Sequence, residues 1–234
     1  MIVSTSAIVL SKLKYRDNDL IVKLLVKDIG ITSFIVRGSA KKNKSNYFQL
    51  LSVLEIEFDY NNKRNLHYFK ELDLKYNFSS LHTDFNKIGV VIFLSEILSK
   101  ILIHQEKDLE LYDFIEHTIN YYDQSLFNPN FHLSFLINLS KFLGFYPDIK
   151  NNNFKFFDLQ QGLYSKIKNS EYILEGDDLI TFNVILGTNF AISNEPKLTS
   201  MQRKKLLDNI ILYYKLHIEN FNTVKSLEVL RKLF

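Results

Sequence analysis

The chain has 234 residues, with 29 Lys and Arg against 26 Asp and Glu and a hydrophobic content of 46%. That length accommodates one large or two small domains with a substantial core, and that composition excludes a disordered chain. Cysteine is absent, which excludes disulfides and Cys-ligated zinc or iron–sulfur clusters and fits a reducing compartment. The net charge of +3 is unevenly spread, because residues 1–80 carry 13 Lys and Arg against 8 Asp and Glu while residues 81–234 carry 16 against 18. A positive first third predicts one module that meets an anionic polymer and a second with a different task.

The first module, residues 1–80, reads as strands separated by turn signals. Candidate strands are Val3–Leu13, Leu20–Lys27, Ile31–Val36, Phe48–Tyr60 and Leu66–Leu74. Leu54, Ile56 and Phe58 alternate with Glu55, Glu57 and Asp59, the pattern of a sheet with one wet face. Five short strands suit a small barrel, and among five-stranded barrels the OB-fold is the one most used to hold single-stranded nucleic acid. The N-terminus has no basic leader, and the apolar run Val90–Leu94 is far shorter than the ~20 residues that span a bilayer. A soluble cytoplasmic protein is expected.

Between the third and fourth candidate strands lies a basic loop, in which Arg37, Lys41, Lys42 and Lys44 follow one another without a carboxylate. Such a loop can meet a phosphate backbone, its Gly and Ser letting the main chain approach, or can simply be a solvated hairpin tip. Lys14 and Arg16 at an earlier turn and Lys63 and Arg64 at a later one are flanking candidates. Tyr15 and Tyr47 stand beside these charges and are candidates for stacking on bases, with exposure the property that separates stacking from core packing.

Residues 81–234 change to helical periodicity. Phe85–His104 is apolar almost all round, broken by Ser95, Glu96, Ser99 and Lys100, and reads as a buried helix. Asp108 caps a second helix with Leu111, Ile115, Ile119 and Tyr122 on one face. Asn128 and Pro129 read as N-cap and first-turn proline of a third helix, which Gly144 stops. Phe154–Leu159, Gly162–Ile167 and Tyr172–Leu174 suggest a small hairpin-like insert, followed by a short helix at Phe182–Gly187. Thr199 and Gln202 match a capping box for a helix to about Asn220, and Thr223–Phe234 closes the chain as a last helix.

The sequence offers little for bond chemistry. The six histidines show no HxxxH or HxH spacing for a metal, and no GxxxxGK[ST], GxGxxG or GxSxG motif is present. Glu175, Asp177 and Asp178 around Gly176 read as turn chemistry, as do Asp17 and Asp19. A non-enzyme without cofactors is expected. The rivals are a helical adaptor that binds only proteins and a metal-dependent nuclease acting through Asp17 and Asp19.

Ordered features along nearly the whole chain resemble a known family. They are Thr5–Leu10, Tyr15–Val22, Gly30 and Arg37-Gly38 in the first module, then Phe93–Leu98, Leu143–Pro147, Phe157-Asp158 with Gly162, His217, Lys225–Leu227 and Val229-Leu230. Together they resemble the bacterial recombination mediator and DNA repair family RecO. The resemblance implies an OB-fold followed by an α-helical domain, binding of single- and double-stranded DNA, and annealing of complementary strands. It implies partnership with RecR, action on DNA coated by single-strand-binding protein, and help in loading RecA. Several members carry a Cys-ligated zinc in the helical domain, which this cysteine-free chain is not expected to share. The acidic, apolar-ended tail of single-strand-binding protein would need a greasy pocket with a cationic rim, for which Lys100, Lys141, Arg203, Lys204 and Lys205 are candidates.

Overall fold

The computed structural model describes residues 1–16, 18–38, 44–187, 196–221 and 223–233, without the side chains of Lys44 and Ser45. Two compact units are present, one of residues 1–127 with 224–233 and one of residues 128–223.

In the first unit, five antiparallel strands form a sheet in the order β3-β2-β1-β4-β5. They are β1 (Ile2–Tyr15), β2 (Asp19–Val26), β3 (Gly30–Val36), β4 (Val53–Asp59) and β5 (Phe69–Leu74). The long β1 serves two partners, its residues 2–8 pairing with β4 and its residues 7–15 with β2. A register shift between Val9 and Ser11 lets it change direction between them. Ala7, Val9, Val22, Leu24, Phe34, Ile56 and Phe58 point inward as the core, where Phe34 stacks on Phe69 at 4.3 Å and meets Phe58 edge-on. This is the five-stranded OB-fold arrangement, followed by helices.

Two details differ from the sequence reading. The sheet is not closed into a barrel: β3 and β5 are its edges, and a parallel bridge joins Phe34 of β3 to His67, ahead of β5. Strand β5 begins at Phe69, three residues after the expected Leu66, and the turn expected at Asn61–Asn65 lies between it and β4. The fourth strand also starts later than expected. Lys44–Phe48 is a short 3₁₀ helix that drops Phe48 into the core, and Leu51 turns the chain at a φ of 62° before β4 begins at Val53.

Helix α1 (Phe85–Ile101) starts at Asp84, whose carboxylate accepts the Asn86 and Lys87 amides. The polar residues that interrupt its apolar pattern all have defined partners. Ser95 and Ser99 donate to the Leu10 carbonyl at the β1 register shift. Glu96 accepts both Lys225 and Ser226 amides and the Ser226 hydroxyl, anchoring the start of α6 (Ser226–Leu233), and pairs with Lys100 at 3.6 Å. Gly89 lets α6 close in, since a Cβ there would sit 2.1 Å from Leu233.

Lys87 is 2% exposed. Its ammonium donates to Ser80 Oγ and to the carbonyls of Tyr122, Asp123 and Ser125 at 2.6–3.1 Å. These carbonyls end helix α2 (Leu109–Gln124), so a buried cation from α1 caps it. Asp123 completes the junction by accepting the amides of Ser79, Ser80 and Leu81. Burial pushes the Asp123 carboxyl up, but these amide donors outweigh it and hold the group below its ordinary value. Asp108 caps α2 as expected.

The second unit contains α3 (Phe131–Phe142), α4 (Gly176–Leu186), α5 (Ser200–His217) and a three-stranded sheet in the order β7-β6-β8. Its strands are β6 (Phe156–Asp158), β7 (Leu163–Ser165) and β8 (Ile173–Glu175). Helix α3 starts after Asn130, not at Pro129, because Asn128 uses its side chain to accept the Asn130 amide and so makes a turn ahead of the helix. Helix α4 is longer than the expected Phe182–Gly187. The Thr199–Gln202 capping box forms at the start of α5, which ends at His217 because Ile218 is extended. The small sheet is held by Phe157 packed on Tyr164, Phe182 and Tyr213, and by Asp158, whose carboxylate accepts the Gln160 and Gln161 amides. Among the described residues no helix is long and apolar enough to cross a membrane.

Two predictions follow from the α1 contacts. Replacing both Ser95 and Ser99 with alanine leaves the Leu10 carbonyl buried without its donors and should lower unfolding free energy by about 1–3 kcal/mol, read from urea midpoints. Asp123, with its lowered pKa, contributes stability at neutral pH that disappears as pH falls below about 4 and through the lowered value. Asp123→Asn should therefore be less stable than wild type at pH 7 and lose less stability on acidification, measured as the difference in urea midpoint between pH 7 and pH 3.

Candidate nucleic-acid interface

The β1–β2 hairpin and the end of β3 are brought side by side by register. Leu20 pairs with Lys14 on one side and Val36 on the other, and Tyr15 pairs with Asp19. Asp19 then fixes the start of the basic loop, its carboxylate accepting the Gly38 amide at 3.0 Å, with Gly38 at a φ of 61°. Lys14, Tyr15, Arg16 and Arg37 are all exposed at this end of the sheet. The Arg16 guanidinium lies 5.3 Å from the Tyr15 ring centre, so charge and ring form one unit.

Arg37 is also the entrance to a groove of about 490 Å³ along the unclosed seam between β3 and β5. Its walls are Arg37 and Tyr47 on one side and Tyr68, Lys70 and Leu72 on the other. Arg37 Nη2 donates to the Tyr68 hydroxyl at 3.1 Å while the guanidinium sits 5.1 Å from the same ring centre. Tyr68 is 50% exposed, whereas Tyr47 is half-buried and packs against the barrel core. Neither Arg37 nor Lys70 forms an ion pair among the described residues. The groove thus brings together two cations without ion pairs among the described residues and two rings, the residue types that can meet phosphate and base.

Tyr68 and Lys70 were not among the sequence candidates. Their signal was present, because residues two apart on an extended segment share a face, but the charge that completes the Tyr68 site, Arg37, lies 31 residues away. Lys41 and Lys42 fall outside the described residues, as does the Lys44 side chain; the Lys44 backbone starts the 3₁₀ helix. Lys63 and Arg64 do not line this groove. They lie on the turn after β4, where Arg64 stands 3.8 Å from Asp59. The hydrogen bond from the Met1 ammonium, chiefly, and the Arg64 charge hold the Asp59 carboxyl below its ordinary value.

The residues proposed for a partner rim fall in both units. Lys100 is on α1 of the first unit beside Glu96. In the second unit, Lys141 lies over the Tyr146 ring at 4.6 Å and donates to Asn138, and Lys205 pairs with Asp178 at 2.7 Å. Half-buried Arg203 donates to the Leu198 carbonyl, and Lys204 is exposed. The nuclease rival rests on Asp17, outside the described residues, and Asp19, whose carboxylate is engaged by Gly38. Among the described residues no three His, Asp or Glu are grouped to hold a metal ion.

Residues 1–78 match the family described as Recombination protein O N terminal, and residues 82–228 match Recombination protein O C terminal. Over 238 aligned positions covering all of both chains, this chain is 38% identical to the DNA repair protein RecO of Flavobacterium psychrophilum. With the same full coverage it is 34% identical to the protein of that name from Christiangramia forsetii and 32% identical to that from Flavobacterium johnsoniae.

Proposed function

The chain belongs to the RecO family of DNA repair proteins, and from that premise we propose that it binds single- and double-stranded DNA and anneals complementary strands without bond chemistry. With RecR it would help load RecA on DNA coated by single-strand-binding protein. The observation that carries this reading is the seam groove, where Arg37 and Lys70 flank Tyr68 and Tyr47.

Annealing needs two polyanions to approach while their bases stay free to pair. Cations on one face screen phosphates by releasing counterions, and shallow stacking holds a strand without reading its sequence. Arg37 and Lys70, with Lys14, Arg16 and the loop lysines Lys41, Lys42 and Lys44, supply the first action. Tyr68 and Tyr15 are exposed enough to supply the second, and Tyr47 forms the wall behind them. A groove open to solvent suits this task, because a strand held at its edge can be released to its complement. The helical part would take the partners, including the tail of single-strand-binding protein, with Lys141, Lys204 and Lys205 offering exposed charge.

Two measurements separate charge from stacking. Alanine at both Arg37 and Lys70 should weaken single-strand binding and reduce the slope of log affinity against log salt by roughly 1.4, at about 0.7 per phosphate contact. An unchanged slope removes the groove from the footprint. Tyr68→Leu should cost about 1–3 kcal/mol of binding with the slope unchanged, and annealing of complementary oligonucleotides should slow in both variants. Normal affinity in the Leu variant would place the bases elsewhere.

A further inference from the structure

A second groove lies on the far side of the Phe34–His67 bridge, within the first unit, and has a volume of about 560 Å³. Its size falls in the range of small-ligand sites, about 300–1,000 Å³. We propose that this groove is a one-nucleotide site, taking a base against Tyr60 and its phosphate on Lys23 and Arg64. The proposal rests on the nucleic-acid reading only for the source of the nucleotide.

Four features point to this ligand. The first is the strand edge. The Ile31 amide donates to the Gln105 carbonyl, while the His67 amide and carbonyl engage the Ser33 carbonyl and the Ile35 amide. Alternation along β3 therefore directs the Ile31 carbonyl and the Ser33 amide outward between these two crossings, with no bond to either from outside the sheet among the described residues. A gap of one acceptor and one donor is too short for an added peptide strand and fits a single planar polar group. Gly30 fixes the lower crossing, since at its φ of 104° a Cβ would stand 2.2 Å from the Gln105 carbonyl oxygen.

The second is a stack. Tyr60 lines the groove and lies parallel to His67, with ring centres 5.6 Å apart and planes 15° apart. A base on Tyr60 extends that stack. His67 is 4% exposed and its Nδ1 has no hydrogen-bond partner among the described residues, leaving an unmet polar position beneath the groove. The third is charge. Lys23 is half-buried with no ion pair among the described residues, and Arg64 is exposed with only a 3.8 Å contact to Asp59. Glu106 is the one acid in the lining. The fourth is base-edge chemistry, supplied by the amide side chains of Asn62 and Asn65.

The test is an amide NMR titration of the full chain with each deoxynucleoside monophosphate, with inorganic phosphate and with a thymidine octamer. Monophosphates should shift the Asn62, Asn65, His67 and His104 amides, and Arg64→Ala or Lys23→Gln should weaken this about tenfold or more. The shifts should persist when Arg37 and Lys70 are alanine, which separates this site from the seam groove. Should the octamer move the same amides, the nucleotide belongs to a strand; should only the monophosphates move them, it is a free nucleotide. Equal effects of inorganic phosphate and monophosphates would overturn the proposal in favour of a bare anion site. Absence of shifts, or indifference to both substitutions, would also overturn it.

Discussion

The Leu10 carbonyl is the point on which the first unit turns. A single strand of 14 residues, β1, holds both neighbours of the sheet, and it can do so only by bending. The register shift that bends it takes Leu10 out of regular pairing, and a buried carbonyl without a donor would cost about 1–3 kcal/mol. Ser95 and Ser99, one helical turn apart on α1, supply the donors. Helix and sheet therefore set each other's position: the bend requires the serines, and the serines fix where α1 crosses the strand.

From that contact the constraints pass along α1 in both directions. Toward its C-terminal half, Glu96 anchors α6, although the two are 130 residues apart in sequence. Toward its start, Lys87 caps the end of α2 while Asp123 gathers the amides that precede α1. Lys87 and Asp123 are not a salt bridge. Each charge is matched by backbone dipoles of the other's segment, which offsets desolvation without requiring two buried side chains to meet. A helix that looks nearly featureless by hydrophobicity is thus bonded near its start, at its middle and toward its C-terminal half.

How much of this could be read from sequence depended on the range of the interaction. Elements whose causes are local were legible: Asp108 at the start of α2, the Thr199–Gln202 box of α5, the alternation of Leu54, Ile56 and Phe58. The strand count and the change to helical periodicity after residue 80 were legible for the same reason, and the family resemblance added the OB-fold arrangement. What failed was decided by neighbours distant in sequence or by competing side-chain bonds. Phe48 looks like a strand residue because it is apolar, but a core formed by β1 to β3 draws it into a turn. Asn128 looks like a helix cap, but its side chain finds the Asn130 amide first. In the candidate site, Arg37 was legible as exposed charge, whereas Tyr68 and Lys70 became visible only once the fold laid β5 along β3. Arg64, grouped by sequence with the basic loop, lines a different groove.

The incomplete closure of the sheet has a structural consequence that a closed barrel would not have. Continuous pairing between β3 and β5 would use every outward amide and carbonyl of β3 and leave a wall of side chains. Here only the His67 segment spans the seam, and it divides the β3 edge into two grooves with different chemistry. The groove near Arg37 has exposed cations and an exposed ring. The groove near Lys23 has backbone groups, amides and a ring backed by a buried imidazole. Asn62, Arg64 and Asn65 of the polar turn after β4 line the second groove, so a segment that the sequence marks only as a connection supplies side chains beside an edge strand whose partner is missing.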